Sequence, residues 1–189
     1  SNPNEVPIER IGKILKRLDT IYNSLQECGY DKQLKEKDPV RYYNYVGAKT
    51  WTYAALEKNE KALEFFREYF KEPKNPRSEN NMGHYLHVLV KAHHKDEAIL
   101  QFKAIMQFEK ERLATMPPPA VLPAETLSPL IDIAAYGVEL KQAADAQFLI
   151  DKIKTSPYFG QLSPLRKQIF KTLQDKLKDQ ASNSATNNH

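Results

Sequence analysis

Four of the five histidines lie between positions 84 and 94, and their spacing is that of one helical face. His84, His87, Lys91 and His94 follow at i, i+3, i+7 and i+10. Zinc needs three or four His, Cys or carboxylate groups around one point. His84 and His87 could begin such a set, but Lys91 opposes a cation in the middle of the stripe. No carboxylate shares the face, so no metal site is expected. The stripe reads either as a solvated helix face or as a donor-rich surface for contact with an anionic partner, an acidic peptide or a phosphate backbone.

The other residue types that carry chemistry are not arranged for it. Cys28 is the sole cysteine, so there is no internal disulfide, as in a reducing compartment. With no base partner in the sequence, it reads as a buried thiol on a helix. Glu109 and Glu111 fall in a charge-alternating helix surface and read as solvated. Gly-rich phosphate loops, Gly-x-Ser-x-Gly, His-Glu-x-x-His and Cys-x-x-Cys are absent. The expectation is a protein that is not an enzyme, with no catalytic residues and no cofactor.

The chain that must position these side chains has 189 residues, 41% of them apolar and 28% charged. That suffices for one domain with a sizeable core. A net charge of +4 permits RNA, acidic protein or anionic lipid as partners. No apolar run approaches the ~18 residues of a membrane span. Ser1-Asn2, in place of an initiator methionine, reads as a cleavage scar.

Helical periodicity dominates. Residues 5–28 form one amphipathic helix, with Ile8, Ile11, Leu15, Leu18, Tyr22 and Leu25 stepping by three and four. Pro7 suits its first turn and Gly29 its C-cap. The stripe reads as a helix laid on the body of the fold or as a coiled-coil seam. Residues 30–37 read as a charged connector. Asp38 and Pro39 are an N-cap and first position for an aromatic-rich helix carrying Tyr42, Tyr43, Tyr45, Trp51 and Tyr53. A partner helix spans 60–72. After Pro73–Pro76, Ser78 with Glu79 nearby, or Asn80/Asn81, caps a helix to about His94, Lys95-Asp96 is a turn, and 97–115 is its partner, with Leu100, Ile105 and Phe108 helping to form the buried side. Proline-rich residues 116–123 are extended. A third pair covers 124–139 and 141–155, the second member anchored by Ala144 and Phe148. A last helix begins at Ser163-Pro164, with Leu165, Ile169, Leu173 and Leu177 on one side. An Asn/Ser-rich tail from 180 reads as disordered.

Two of these pairs repeat one pattern. Ala62 and Ala98 lie 36 positions apart, each followed four residues later by a phenylalanine, Phe66 and Phe102. A period of this length signals stacked helical pairs. The segment from His94 to Phe102, with its Asp96-Glu97-Ala98, and the segment from Asn59 to Phe66 resemble tetratricopeptide or pentatricopeptide repeats. Tyr53, nine residues before Ala62, stands where tetratricopeptide repeats place an aromatic; Leu89 matches it. Tyr43-Asn44 resembles the pair that opens a pentatricopeptide helix, about three residues early. The tryptophan-leucine-glycine run of the tetratricopeptide family is missing.

The resemblance implies an all-α, right-handed α-solenoid of about three antiparallel helix pairs. Its parts are an N-terminal helix and connector (1–37), three hairpins (38–156), a capping helix (157–179) and a tail (180–189). It also implies a concave face lined by the first helix of each pair, here Asn44, Trp51, Asn80, His84, His87 and Lys91. The function expected is a scaffold or adaptor binding a protein partner or acidic peptide through that face. The alternative is an RNA-binding segment of a pentatricopeptide-like protein acting in mitochondrial RNA maturation, stability or translation. A mitochondrial location is expected, with the cytoplasm as alternative, and the oligomeric state is left open.

Overall fold

The computed structural model describes residues 8–73, 75, 77–117 and 120–186. Among them the secondary structure is entirely helical: α1 (Ile8–Glu27), α2 (Tyr30–Lys37), α3 (Pro39–Ala55), α4 (Asn59–Lys71), α5 (Glu79–Lys91), α6 (Lys95–Thr115), α7 (Ala124–Glu139), α8 (Ala143–Thr155) and α9 (Pro164–Thr186), with one 3-10 turn at Phe159–Gln161. The chain divides into two compact units, Ser1–Pro76 and Arg77–His189.

The helix starts follow the local chemistry. The Asp38 carboxylate accepts the Arg41 N–H at 3.1 Å, and Pro39 opens the helix that follows. Ser78 and Asn81 form a reciprocal capping box at the start of α5. The proposed first-turn role of Pro7 lies outside the described residues.

Three hairpins, α3–α4, α5–α6 and α7–α8, share one turn. Glu57, His93 and Lys141 each adopt the left-handed conformation, with φ of 58°, 62° and 60°. In each turn the next N–H reaches back five residues: Lys58 to Tyr53, His94 to Leu89 and Gln142 to Gly137, at 2.8–2.9 Å. The N–H of the left-handed residue itself bonds three residues back, to Ala54, Val90 and Val138. This double closure satisfies the last carbonyls of the first helix. The left-handed residue then stands five positions before a fully buried alanine: Ala62, Ala98 and Ala146. The third anchor is therefore Ala146, with buried Ile150 four residues on, and not Ala144, which is exposed. The register of the turn fixes this, and Phe148 is only half-buried.

In the first unit α3 packs against α1, α2 and α4. Residues 30–37 are a helix rather than a connector, because the left-handed Gly29 redirects the chain and Asp31 is anchored from below. The anchor is Lys49, wholly buried on α3. Its ammonium lies 3.0 Å from Asp31 Oδ2 and 3.3 Å from Gln26 Oε1. It also lies 4.4 Å from the centre of the Phe65 ring. A buried cation needs such partners, and removing one typically costs about 3–5 kcal/mol. Tyr53 stacks on Phe65, and Tyr45 meets Tyr22 and Tyr30 edge-on. On α1 the Tyr22 side faces inward, whereas Ile11, Ile14 and Ile21 are exposed. Cys28 is likewise exposed rather than buried.

In the second unit α7 packs against α5, α6, α8 and α9. Gly137 stands where Tyr53 and Leu89 stand in the other hairpins. A β-carbon there would lie 2.6 Å from the Phe102 ring and 3.1 Å from Ala146. The ring of Phe102 thus takes the space that a side chain at 137 would need. The buried side of α6 is Ala98, Phe102, Ile105, Met106 and Glu109, which leaves Leu100 on the opposite, exposed side and Phe108 half-buried. On α9 the buried residues are Phe170, Leu173 and Leu177, and Leu165 is exposed. Helix α9 continues past Gln180 to Thr186, since no Gly or Pro after Pro164 interrupts it. Residues 187–189 of the expected tail lie outside the described residues.

Glu109 is not a solvated surface carboxylate. It is fully buried, and Arg112 bridges it to Glu79 at 2.6 and 2.7 Å. Burial pushes its carboxyl up to about 7, against the pull of Arg112 and with a push from Glu79.

Two outcomes follow for stability. Replacing exposed His93 with glycine relieves a left-handed conformation that costs a β-carbon about 1 kcal/mol, so His93→Gly should raise the urea midpoint without changing its slope. Glu109 binds its proton more tightly folded than unfolded, so its contribution is present below the ordinary carboxylate value and is lost as pH rises through about 7. Glu109→Gln should therefore gain on the parent between pH 5 and 8, by on the order of 2 kcal/mol in denaturant titrations.

Candidate functional site

Helix α5 presents His84, His87 and Lys91 of the stripe but not His94, because α5 ends at Lys91 and the left-handed His93 turns the chain there; the setting of the stripe differs from a solvated face. Asn80 and Lys91 are exposed at the two ends, while His84 and His87 between them are half-buried. The burial comes from α7, which packs directly on α5. Gly83 permits this approach, since a β-carbon there would lie 3.3 Å from the Ile133 side chain.

Helix α7 brings two further polar groups into play, and α9 a third. The Tyr136 hydroxyl is hydrogen-bonded to His87 Nδ1, with the rings 5.8 Å apart and tilted. Asp132 of α7 pairs with Arg166 of α9. The carboxylate missing from the histidine helix is thus supplied by the neighbouring one. Among the described residues no cluster of three or more His, Cys, Asp or Glu is placed to hold a metal ion.

The electrostatics assign the protons. Burial holds His84 below its ordinary value; neighbouring His87 pushes the same way, and Asp132 pulls against both. His87 is lowered first by burial and then by Lys91, again opposed by Asp132. Burial, followed by Asp132 and Glu139, pushes the Tyr136 hydroxyl up to about 12. At neutral pH the phenol keeps its proton and the imidazoles are neutral, and the Tyr136–His87 hydrogen bond joins them with either group as donor. The result is a row of donors: Asn80, the imidazoles, Lys91 and the Arg166 guanidinium. Such a row can grip carboxylates or phosphates.

Asn44 and Trp51 belong to the first unit, on α3, and are exposed, Trp51 by 58%. The other four expected residues share α5 in the second unit. Sequence reasoning missed Asp132, Tyr136 and Arg166. One signal was available: Asp132 is the only charge between Leu127 and Val138, and a lone charge in an apolar run needs a partner.

Compared with protein-family models, characterised proteins and solved structures, the chain matches none.

The depressed histidines can be read directly. A lowered His contributes stability above its ordinary value near 6.5 and loses it as pH falls through the folded value. Proton NMR should find His84 and His87 titrating below 6.5 in the folded protein and returning to about 6.5 in urea. Asp132→Asn removes the carboxylate that favours their charged forms, so it should lower both midpoints further.

Proposed function

We propose that this chain is a non-enzymatic helical-repeat module of tetratricopeptide or pentatricopeptide type, with successive hairpins stacked as a solenoid. It acts as a scaffold or adaptor, holding an acidic segment of a protein partner on the α5 face. The observation that carries this reading is the turn used three times at the same distance from a buried alanine. One hairpin design repeated along a chain is the signature of repeat architectures. Within the second unit, α5 and α7 are first members of successive hairpins and pack on each other, as stacking requires.

The polar row supports a protein segment over a small molecule. It runs across α5, α7 and α9, with cations at Lys91 and Arg166, imidazoles between them, and the Asp132 carboxylate paired with Arg166 among them. An extended acidic peptide would meet Lys91 and the imidazole N–H groups in turn. Exposed Trp51, next to Asn44 on α3, favours the second reading, in which bases of RNA stack on an aromatic. A mitochondrial setting belongs to either reading and rests on the basic charge and the pentatricopeptide likeness, with the cytoplasm as the alternative.

The test is fluorescence anisotropy with two probes, a glutamate-rich dodecapeptide and an oligouridine of similar length. The peptide should bind, and Lys91→Ala, at an exposed position, should weaken it about threefold or more with an unchanged circular dichroism spectrum. Oligouridine binding with a steep salt dependence, abolished by Trp51→Ala, would move the assignment to RNA. Peptide affinity indifferent to Lys91→Ala and Arg166→Ala would sink the proposed face.

A further inference from the structure

Helix α1 carries an apolar face that its own unit leaves uncovered. Ile11, Ile14, Leu18, Ile21 and Leu25 step alternately by three and four along it, the spacing of a seam between two helices. The helix lies on α3 through another side, that of Tyr22, which is buried and meets Tyr45 edge-on. Leu18 and Leu25 are half-buried between the two sides. Ile11, Ile14 and Ile21 are 43%, 47% and 51% exposed. The open edge of this seam is basic. Arg10 and Arg17, seven residues apart and so on one line of the helix, are both exposed. Among the described residues neither is paired with a carboxylate. The acidic residues of α1 lie elsewhere: Asp19 pairs with Lys58, Glu9 pairs with Lys13, and Glu27 projects from the face opposite the seam.

We propose that this face of α1 is the docking surface for an acidic amphipathic helix of a partner protein. Its apolar stripe seats on Ile11, Ile14 and Ile21, and its flanking carboxylates meet Arg10 and Arg17. Charged residues beside such a seam select the partner helix, and here the selecting charges are of one sign and unspent. A second copy of α1 fits badly. In a centred antiparallel pair Arg17 meets Arg17; in a parallel pair the positions that would face the arginines are Leu15 and Tyr22, on the side turned toward α3. A lipid surface takes a broader apolar arc than one three-and-four stripe. The seam is about 21 Å long from Ile11 to Leu25, which is short for two free helices. Helix α1 is already ordered by α3, so only the incoming helix has to be ordered on binding.

The experiment titrates the intact protein with a labelled helical peptide of about five turns, with leucines in the three-and-four pattern and glutamates beside them. Glutamate repulsion keeps this probe from pairing with itself. It should bind and shift the methyl signals of Ile11, Ile14 and Ile21, and a version with lysines for the glutamates should bind about tenfold more weakly. Ile14→Ser should weaken the glutamate probe about tenfold. Arg10→Glu combined with Arg17→Glu should reverse the order of the two peptides. These side chains are exposed, and an unchanged circular dichroism spectrum checks that the fold is kept. Lys91→Ala should leave binding as it was, which separates this surface from the α5 face; loss of binding in Lys91→Ala but not in Ile14→Ser would overturn the proposal. So would no binding at about 100 µM, or equal binding of the lysine version. A dimer in sedimentation that Ile14→Ser dissolves would give the face to a second copy. Binding to phosphatidylserine vesicles, lost in Ile14→Ser and with no peptide binding, would give it to a membrane; either result overturns the proposal.

Discussion

A residue with positive φ, set five positions ahead of a buried alanine, decides how each hairpin closes. The left-handed step at Glu57, His93 and Lys141 turns the chain sharply enough for the N–H groups beyond it to cap the helix just ended. The same step aims the second helix so that Ala62, Ala98 or Ala146 faces the first helix at close range. A bulkier side chain at the alanine would push the helices apart, and a shift of one residue would rotate the whole apolar face of the second helix by about 100°. None of the three turns uses glycine, the residue that adopts this conformation freely. Each hairpin therefore tolerates local strain in exchange for its packing.

Around this frame the two units solve the same problem in different ways, that of polar groups placed inside. In the first unit Lys49 lies beneath aromatic rings, and Asp31 and Gln26 reach it from the α1–α2 region. That contact converts a charged, weakly apolar stretch into a helix with a defined position. In the second unit Arg112 stands between two carboxylates, Glu79 on α5 and Glu109 on α6. One guanidinium cannot fully compensate two buried carboxylates, so one of them holds a proton near neutrality. Both arrangements tie together helices that hydrophobic contact alone would position less specifically.

The surfaces available for function follow from the same packing. Because α7 lies on α5, the histidines of the stripe cannot all be wet. His84 and His87 are half-buried and held neutral, and Tyr136 orients the His87 ring, while Lys91 and Asn80 are exposed to solvent. An oriented imidazole loses less freedom on binding than a solvated one. In the first unit Tyr42, Phe65 and Tyr69 line a cavity. The aromatic richness of α3 thus serves two ends, with Tyr53 and Tyr45 packed inside and Tyr42 at an accessible wall.

The sequence by itself determined most of the helices, though not α2 or the end of α9, and the caps at Asp38 and Ser78. Asp38-Pro39, Ser78 and the alanine-plus-four spacing of Ala62 and Ala98 are local signals, written in residues a turn or two apart. It also determined the stripe Asn80, His84, His87 and Lys91, since a helix face depends only on spacing. It misplaced the third anchor at Ala144 because two alanines near the start of α8 fit a loose pattern equally well, and the turn that separates them bears no glycine to mark it. The tertiary structure alone decided which side of each stripe is covered. Ile11, Ile14, Ile21, Leu100 and Leu165 look like core in an apolar count, yet they are exposed. Lys49 and Glu109 look like surface, yet they are buried. Burial depends on partners 18 to 49 residues away in the chain, such as Asp31 for Lys49, Asp132 for Arg166 and Tyr136 for His87. Periodicity records how a helix is patterned; only the packing of neighbouring helices says what that pattern meets.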